Sequence, residues 1–302
     1  MLRDQAFELP VIEANEHVHG AQALSDLVAV DAAGGGWRNR QCLLNIADQV
    51  LGGQLAAHCL AAAADGESGL EPNAMHLLFV GAADPRSPYR LEKDALRTGR
   101  RMAHRSVRLM QADQVIVQAS VILQSVRNEA RRAATSFHAE MPEVPPPEAC
   151  APRAITPGES DPLNIQMMES YPFLEIRGTE GYVPGDCQIE GTRAFYWVRV
   201  ADTARLPAID HYALLTLASD YWYTLPVHGV SVGKRPSYMT TSIDHSIWFH
   251  DRPDISEWTL VETQCALIER DIGLKNARYW SRAGRPVATV TQQALIRRSA
   301  QS

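Results

Sequence analysis

Cysteine is scarce in this chain of 302 residues, and none of it is paired in sequence. The five occurrences, Cys42, Cys59, Cys150, Cys187 and Cys265, are widely spaced, odd in number and without a C-x-x-C. That pattern argues against a disulfide framework and against a zinc site, and it suits a reducing compartment. Other chemical signatures are missing too. There is no H-E-x-x-H or H-x-x-E-H for a metal, no G-x-S-x-G nucleophile elbow and no P-loop, so no metal and no cofactor are expected. No run approaches the ~18 apolar residues of a membrane span, and the opening Met1 to His17 has no apolar core of signal-peptide length. A soluble cytoplasmic protein is the expectation. A surplus of positive charge is absent as well: the formal net charge is −6, which disfavours a nucleic-acid partner bound through a basic surface. What the chain does have is 45% hydrophobic residues, enough for a full core, with an ordinary 21% charged.

The order of patterns along the chain points to a duplication. Residues 1–36 read as a polar lead-in ending in Gly34-Gly35-Gly36, a flexible joint. Gly52-Gly53-Gln54 then opens an Ala-rich helix running to Ala64, whose small side chains would let a curved sheet wrap closely around it. Strand-like runs follow at Met75 to Gly81, Pro88 to Ala95, Ala103 to Met110 and Gln114 to Leu123, with a hairpin turn at Gln111 to Gln114 that lacks the favoured Asn-Gly. Residues 126–160 form a linker rich in proline, which removes donors and fixes φ, so an extended irregular connection is expected rather than core. After it the plan recurs. Strands at Tyr171 to Arg177 and Ala194 to Arg199 precede a helix at Asp210 to Tyr223. Then come strands at Met239 to His250, Trp258 to Arg270, Asn276 to Arg282 and Val287 to Ile296, with a turn at Arg282 to Arg285. Two halves with one order of elements, 37–125 and 161–302, imply an internal repeat.

The stretch Leu217 to His250 carries the chemistry. Asp220 sits in the apolar run Leu214 to Leu225, where an unpaired carboxylate is costly to bury, so a polar group should meet it. The words Ala218-Ser219-Asp220, Pro226-Val227-His228-Gly229 and Ser242 to His250 (SIDHSIWFH), with Glu257-Trp258 and the final VATVTQQALIR, together resemble the type II acyl-CoA thioesterases, the TesB-like family of tandem hotdog proteins. The resemblance is strong over roughly 162–298 and weaker over 50–124. It implies an α+β double hotdog: two antiparallel sheets, each wrapped around a long helix, joined edge to edge so that each sheet loses an exposed edge. It also implies an acyl-CoA or acyl-carrier-protein thioester as partner and assembly into a homo-oligomer.

The resemblance also assigns roles. Asp220, Ser242 and Gln292 match the positions that hold and activate a water against a thioester carbonyl, and Gly53 and Gln54 match the word that opens the family's first helix. Beside the resemblance, His228 in its loop could line the pocket mouth and Trp222, bulkier than the family pattern, could reshape the acyl pocket, so Gly53, Gln54, Trp222 and His228 are candidates for substrate binding. The residue types suit the task. A thioester carbonyl is already electrophilic and a thiolate leaves readily, so no covalent nucleophile is needed. A carboxylate can take the proton from water, which is typically worth ~10²–10⁴ in rate. Backbone N–H groups at a helix N-terminus, such as those of the Gly52-Gly53-Gln54 turn, could stabilise the oxyanion by roughly 2.7–4 kcal/mol per good donor.

Each of these residues also has a bland reading. Asp220 beside Ser219 could cap a helix. Ser242 could be structural, and one of Gln292 and Gln293 must face solvent by alternation. Asp244 and His245, as strand neighbours, point to opposite faces and cannot easily act as one pair. His245 and His250 remain candidates for a supporting role, and His58 reads as a core histidine. Arg97, Arg100, Arg101, Arg105 and Arg108 could cluster as a phosphate site or form a solvated face. Two alternatives to hydrolysis stand beside it: a hotdog dehydratase, hydratase or other specialised enzyme acting on a thioester-bound chain, and a non-catalytic acyl-binding protein.

Overall fold

The structure is a computed structural model that describes residues 10–12, 18–45, 47–125, 136–152, 171, 173–179, 193–221 and 238–298. In chain order the elements of the first part are β1 (Val11–Ile12), α1 (Ala21–Val28), β2 (Val30–Ala33), β3 (Gly36–Asn39), β4 (Cys42–Leu43), α2 (Gly52–Ala64), β5 (Leu70–Phe79), β6 (Arg90–Thr98), β7 (Met102–Gln111) and β8 (Gln114–Ser125). The second part holds β9 (Ala151–Pro152), β10 (Leu174–Gly178), β11 (Arg193–Val200), α3 (Ala208–Tyr221), β12 (Tyr238–Ser242), β13 (Asp244–Phe249), β14 (Thr259–Glu269), β15 (Ile272–Ser281) and β16 (Pro286–Arg298).

One sheet organises the molecule. Its strand order is β2-β3-β6-β7-β8-β5-β13-β16-β15-β14-β11-β10-β9, with β12 also paired to β16. Read outward from the β5–β13 contact, the order β5-β8-β7-β6-β3-β2 on one side mirrors β13-β16-β15-β14-β11-β10 on the other. The chain is thus an α+β double hotdog in which two antiparallel half-sheets share one central seam. Across that seam Ser246 opposes His76, the two side chains hydrogen-bond at 3.0 Å, and the His76 and Trp248 rings meet edge to face at 5.1 Å.

Helices α2 and α3 lie side by side and share the main core with the sheet. A helix apolar on every side must be buried on every side, and α2 satisfies this: ten of its residues, Gly53 to Leu60 with Ala62 and Ala63, are buried. Strand β7 alternates as a half-buried strand should, with Ala103, Val107 and Leu109 inward. The β7–β8 turn places Ala112 and Asp113 at φ 46° and 63°, the left-handed pair that matches strand twist, without any glycine.

Three expectations are corrected. The described part of the lead-in, residues 10–12 and 18–36, is more regular than expected, and its glycines form a defined turn. It contains α1, whose Leu24, Leu27 and Val28 are buried, and the β2–β3 hairpin, with Gly34 and Gly35 at φ 58° and 85° forming its tight turn. The described part of the linker is extended but also packs as core. Cys150 joins Trp197, Trp258, Leu260 and Trp280 in a second apolar cluster, while Trp197 donates its indole N–H to the Pro145 carbonyl at 2.9 Å. The expected single strand Met239 to His250 is two strands, β12 and β13, broken at Ile243.

Candidate active site

Asp220 is the penultimate residue of α3, so it does not cap the helix N-terminus. It is only 9% exposed. Its Oδ1 accepts the Gln292 Nε2–H at 2.5 Å and the Ser242 hydroxyl at 3.1 Å, and Gln292 Nε2 also donates to Ser242 Oγ at 2.8 Å. The ring closes without conflict. The amide supplies two hydrogens, the hydroxyl supplies one and accepts one, and the carboxylate only accepts, as an ionised acid must. Hydrogen bonds to an ionised partner are the strong kind, and three side chains from α3, β12 and β16 are thereby fixed to one another.

The break between β12 and β13 is what lets this happen. Ser242 opposes Ala294 on β16, but Ser246 opposes Thr291, so β12–β13 carries one extra residue between them. Ala294 and Val290 face inward, which puts Ser242 and Ile247 inward and, by alternation, His245 as well. Ser242 and His245 are three apart and would otherwise lie on opposite faces. A β-bulge re-aims a side chain in this way. The interrupted ladder is patched locally: Asp244 Oδ1 accepts the Gln293 N–H at 2.7 Å, and Ile243 donates its N–H to the Gln293 carbonyl at 3.0 Å. Asp244 and His245 do point apart, with His245 buried and Asp244 at the opposite face.

Around the ring lies a second set of polar groups. His245 is fully buried, and its Nε2 is 3.0 Å from Ser219 Oγ. Ser219 Oγ also donates to the Thr216 carbonyl at 2.8 Å. Burial pushes the His245 pKa down to about 4 despite the opposing pull of Asp220, so the imidazole is neutral at pH 7. Its Nδ1 and the Gln292 Oε1 are buried polar atoms without a hydrogen-bond partner among the described residues. Lys275, opposite Gln292 in register on β15, is 1% exposed and donates from Nζ to the Ser219 carbonyl at 3.1 Å. Burial lowers its pKa to about 8, and the Asp220 charge opposes that fall. Tyr279, two turns of the pleat along the same strand, is raised by burial and then by Asp220.

The first repeat closes the site from the other side. A Cβ on Gly52 would stand 2.8 Å from Asp220 Oδ2 and 3.3 Å from the Phe79 ring, and one on Gly53 would stand 2.4 Å from the Leu217 carbonyl oxygen. Only glycine lets α2 approach α3 this closely. The contact brings the N-terminus of α2, where the first N–H groups have no intrahelical acceptor and the helix dipole favours negative charge, against the Asp220 carboxylate.

Other candidates take different places. The Gln54 carboxamide is buried and bonded to three backbone groups, accepting from Leu43 N–H at 2.7 Å and donating to the Leu27 and Gln41 carbonyls at 2.8 and 3.2 Å, and its N–H bonds Leu51 at 3.0 Å. Its side chain ties α2 to the lead-in. Trp222 and His228 lie outside the described residues. His58 is a core histidine, bonded to Tyr89 Oη at 2.6 Å and to the Leu27 carbonyl at 3.0 Å. His250 bonds Thr289 Oγ1 at 2.8 Å. The five arginines do not make one patch: Arg105 is buried and paired with Glu67 at 2.7 Å, and Arg108 reaches Glu92 and Asp94. The described cysteines are buried, and burial pushes Cys42 to about 11 and Cys59 to about 12, far from reactive thiolates. Sequence reasoning missed Lys275 and Ser219. The available signal was a lysine at the inward parity of Ala277 and Tyr279.

Comparison with known proteins gives a consistent picture. Residues 43–124 match the profile of the acyl-CoA thioesterase N-terminal domain, and residues 147–296 match that of the acyl-CoA thioesterase C-terminal domain. Acyl-coenzyme A thioesterase 8 of Mus musculus is 26% identical over 274 residues, covering 86% of this chain and 84% of the mouse protein. Acyl-CoA thioesterase 2 of Haemophilus influenzae is 27% identical over 258 residues, covering 82% and 88%. Among solved structures, a TesB protein of Mycobacterium avium subspecies paratuberculosis shares the fold with a TM-score of 0.75 at 22% identity, covering 92% of this chain and all of that one. The acyl-CoA thioesterase II TesB2 of Mycobacterium marinum does so at 0.74 and 19%, covering 92% and 99%.

Proposed function

This chain belongs to the TesB-like acyl-CoA thioesterase family, both of whose domain types it carries in tandem, and from that premise we propose that it hydrolyses an acyl-CoA thioester with a water held by Asp220, Ser242 and Gln292. The observation that carries the residue assignment is the closed hydrogen-bonded ring of these three side chains, drawn from positions 22, 50 and 72 residues apart.

The chemistry follows from that ring. Ser242 and Gln292 hold Oδ1, which leaves Oδ2, on the side of Gly52, to accept a proton from water. The water oxygen attacks the thioester carbonyl carbon, and the carbonyl π electrons move onto oxygen. The proposal assigns that oxyanion to N–H groups at the start of α2, beside Asp220, each good donor being worth roughly 2.7–4 kcal/mol. Collapse of the tetrahedral intermediate breaks the C–S bond, and the proton on Asp220 passes to the leaving sulfur, giving free thiol and carboxylic acid. Neutral His245 and the donors around the ring orient the groups without exchanging protons at pH 7.

The test is thiol release from a panel of acyl-CoAs by the intact protein and by Asp220→Asn. The proposal expects release by the wild type and a loss of about 10²–10⁴ in kcat for a folded Asp220→Asn, the usual worth of a general base. Equal release by both would refute the assignment.

A further inference from the structure

A buried lysine stands one residue from the candidate base, and the hydrolysis scheme above gives it no task. Lys275 is 1% exposed and holds the carbonyl of Ser219, the residue immediately before Asp220, at 3.1 Å. Burying an ammonium costs several kcal/mol after relaxation, so its retention inside the second repeat calls for a reason. Its counterpart in the first repeat supplies a contrast. Lys275 opposes Gln292 on β16, and the equivalent position of β7, counted from the β7–β8 hairpin, is Arg105 opposite Val121. Arg105 is also buried, at 3% exposure, but binds Glu67 at 2.7 Å in a structural ion pair beyond the end of α2. The fold therefore places a buried cation near the C-terminal end of each central helix. Among the described residues of the second repeat, Asp220 is an acid that feels its charge.

The titratable groups about Lys275 among the described residues are Asp220 on α3, His245 on β13, Cys265 opposite it on β14 and Tyr279 on its own strand. Burial holds Cys265 and Tyr279 protonated and His245 unprotonated at neutral pH. Within this group Lys275, its pKa lowered only to about 8, is the cation, and Asp220 is the carboxyl group its charge reaches. Ser242 and Gln292 stabilise the carboxylate as dipoles but leave its net charge uncompensated.

We propose that Lys275 is a positioning residue of the thioesterase reaction: it anchors the last turn of α3 through the Ser219 carbonyl and supplies the positive charge that keeps Asp220 ionised, and so able to accept a proton, in a buried site. The inference rests on the reading of Asp220 as the base. Through a carbonyl anchor, the lysine acts on Asp220 without occupying the Oδ2 side that faces Gly52.

The experiment is the pH dependence of kcat/KM for thiol release from a turned-over acyl-CoA, measured for the wild type, Lys275→Met and Lys275→Gln, with a thermal melt of each. An opposite charge nearby favours the ionised acid by about one to three pH units. Both variants should therefore show the acid limb moved to higher pH by about one unit, with rates converging toward wild type above it. A lysine with only a structural role would alter the melt and leave the limb in place, and that result overturns the proposal. So does loss of fold in both variants, which would assign the residue to folding alone. An Asp220-dependent wild-type rate with an unmoved limb refutes this inference and spares the thioesterase reading. Equal thiol release by wild type and Asp220→Asn refutes both.

Discussion

The two repeats share one register and differ in what they place on it. Leu77 opposes Ala119 in the first as Ile247 opposes Val290 in the second, and both carry a bulge at the same point, between Pro72 and Ala74 and between Ser242 and Ser246. Carried along the strands, this correspondence sets Pro72 against Ser242, Met75 against His245, Val121 against Gln292 and Arg105 against Lys275. The last turn of α2 is alanine throughout, where the last turn of α3 carries Ser219-Asp220. So the first repeat is the same scaffold with Pro72, Met75 and Val121 where the second has Ser242, His245 and Gln292. Its contribution to the site is the glycine-edged N-terminus of α2, pressed against Asp220. The difference teaches that the hotdog geometry, bulge included, is independent of the chemistry. It supplies inward positions near a helix end, and the side chains at those positions decide whether they react.

That comparison can be broken by substitution. The largest effect is expected for Asp220→Asn, which removes the proposed base; thiol release should fall by about 10²–10⁴ with the fold intact. Next is Gln292→Val, which copies Val121 of the first repeat into the second. It removes the amide that bonds both Asp220 and Ser242, and kcat should fall by roughly 10²-fold, as for loss of one well-aligned donor. If this variant turned over normally, the apolar and polar side chains at this position would be functionally equivalent and the comparison would fail.

A smaller, thermodynamic effect sharpens the likeness instead. Among the described residues, each repeat buries one histidine whose pKa burial pushes to about 4, His58 on α2 and His245 on β13. In the unfolded chain both would titrate near 6.5. Between these values the unfolded state binds more protons, so stability rises with pH. The contribution is therefore present above 6.5 and is lost as pH falls through 4, by roughly 3 kcal/mol per histidine. Urea titrations between pH 7 and pH 4 should show His58→Gln and His245→Gln each removing about half of this histidine-linked loss. A loss unchanged in both variants would refute it.

Much of this was legible before any coordinates. Helix α2, the meander of the first repeat and the duplicated order follow from periodicity and glycine placement, and the ring of Asp220, Ser242 and Gln292 follows from family resemblance. Residue by residue, the same positions misled. Ser219-Asp220 looks like a helix start because Ser and Asp favour caps, and only the tertiary site explains an acid in a last turn. The bulge at Ile243 is invisible to alternation, since it depends on pairing with β16. Lys275 fell outside the expected strand from Asn276. The turn that begins β15 uses Arg270 and Asp271 at φ 52° and 61° rather than glycine, so the strand's first residues read as loop. The helix α1 was missed because eight residues give little more than two turns of pattern.

The most direct test of the central claim, that a water aligned by Asp220 attacks the thioester, is a single turnover in ¹⁸O-water with protein in excess over acyl-CoA. Direct attack predicts one ¹⁸O in the first carboxylic acid released and none in the protein. A first product free of label, with ¹⁸O appearing in the Asp220 carboxylate, would mean that the acid attacks the carbonyl itself and would contradict the account.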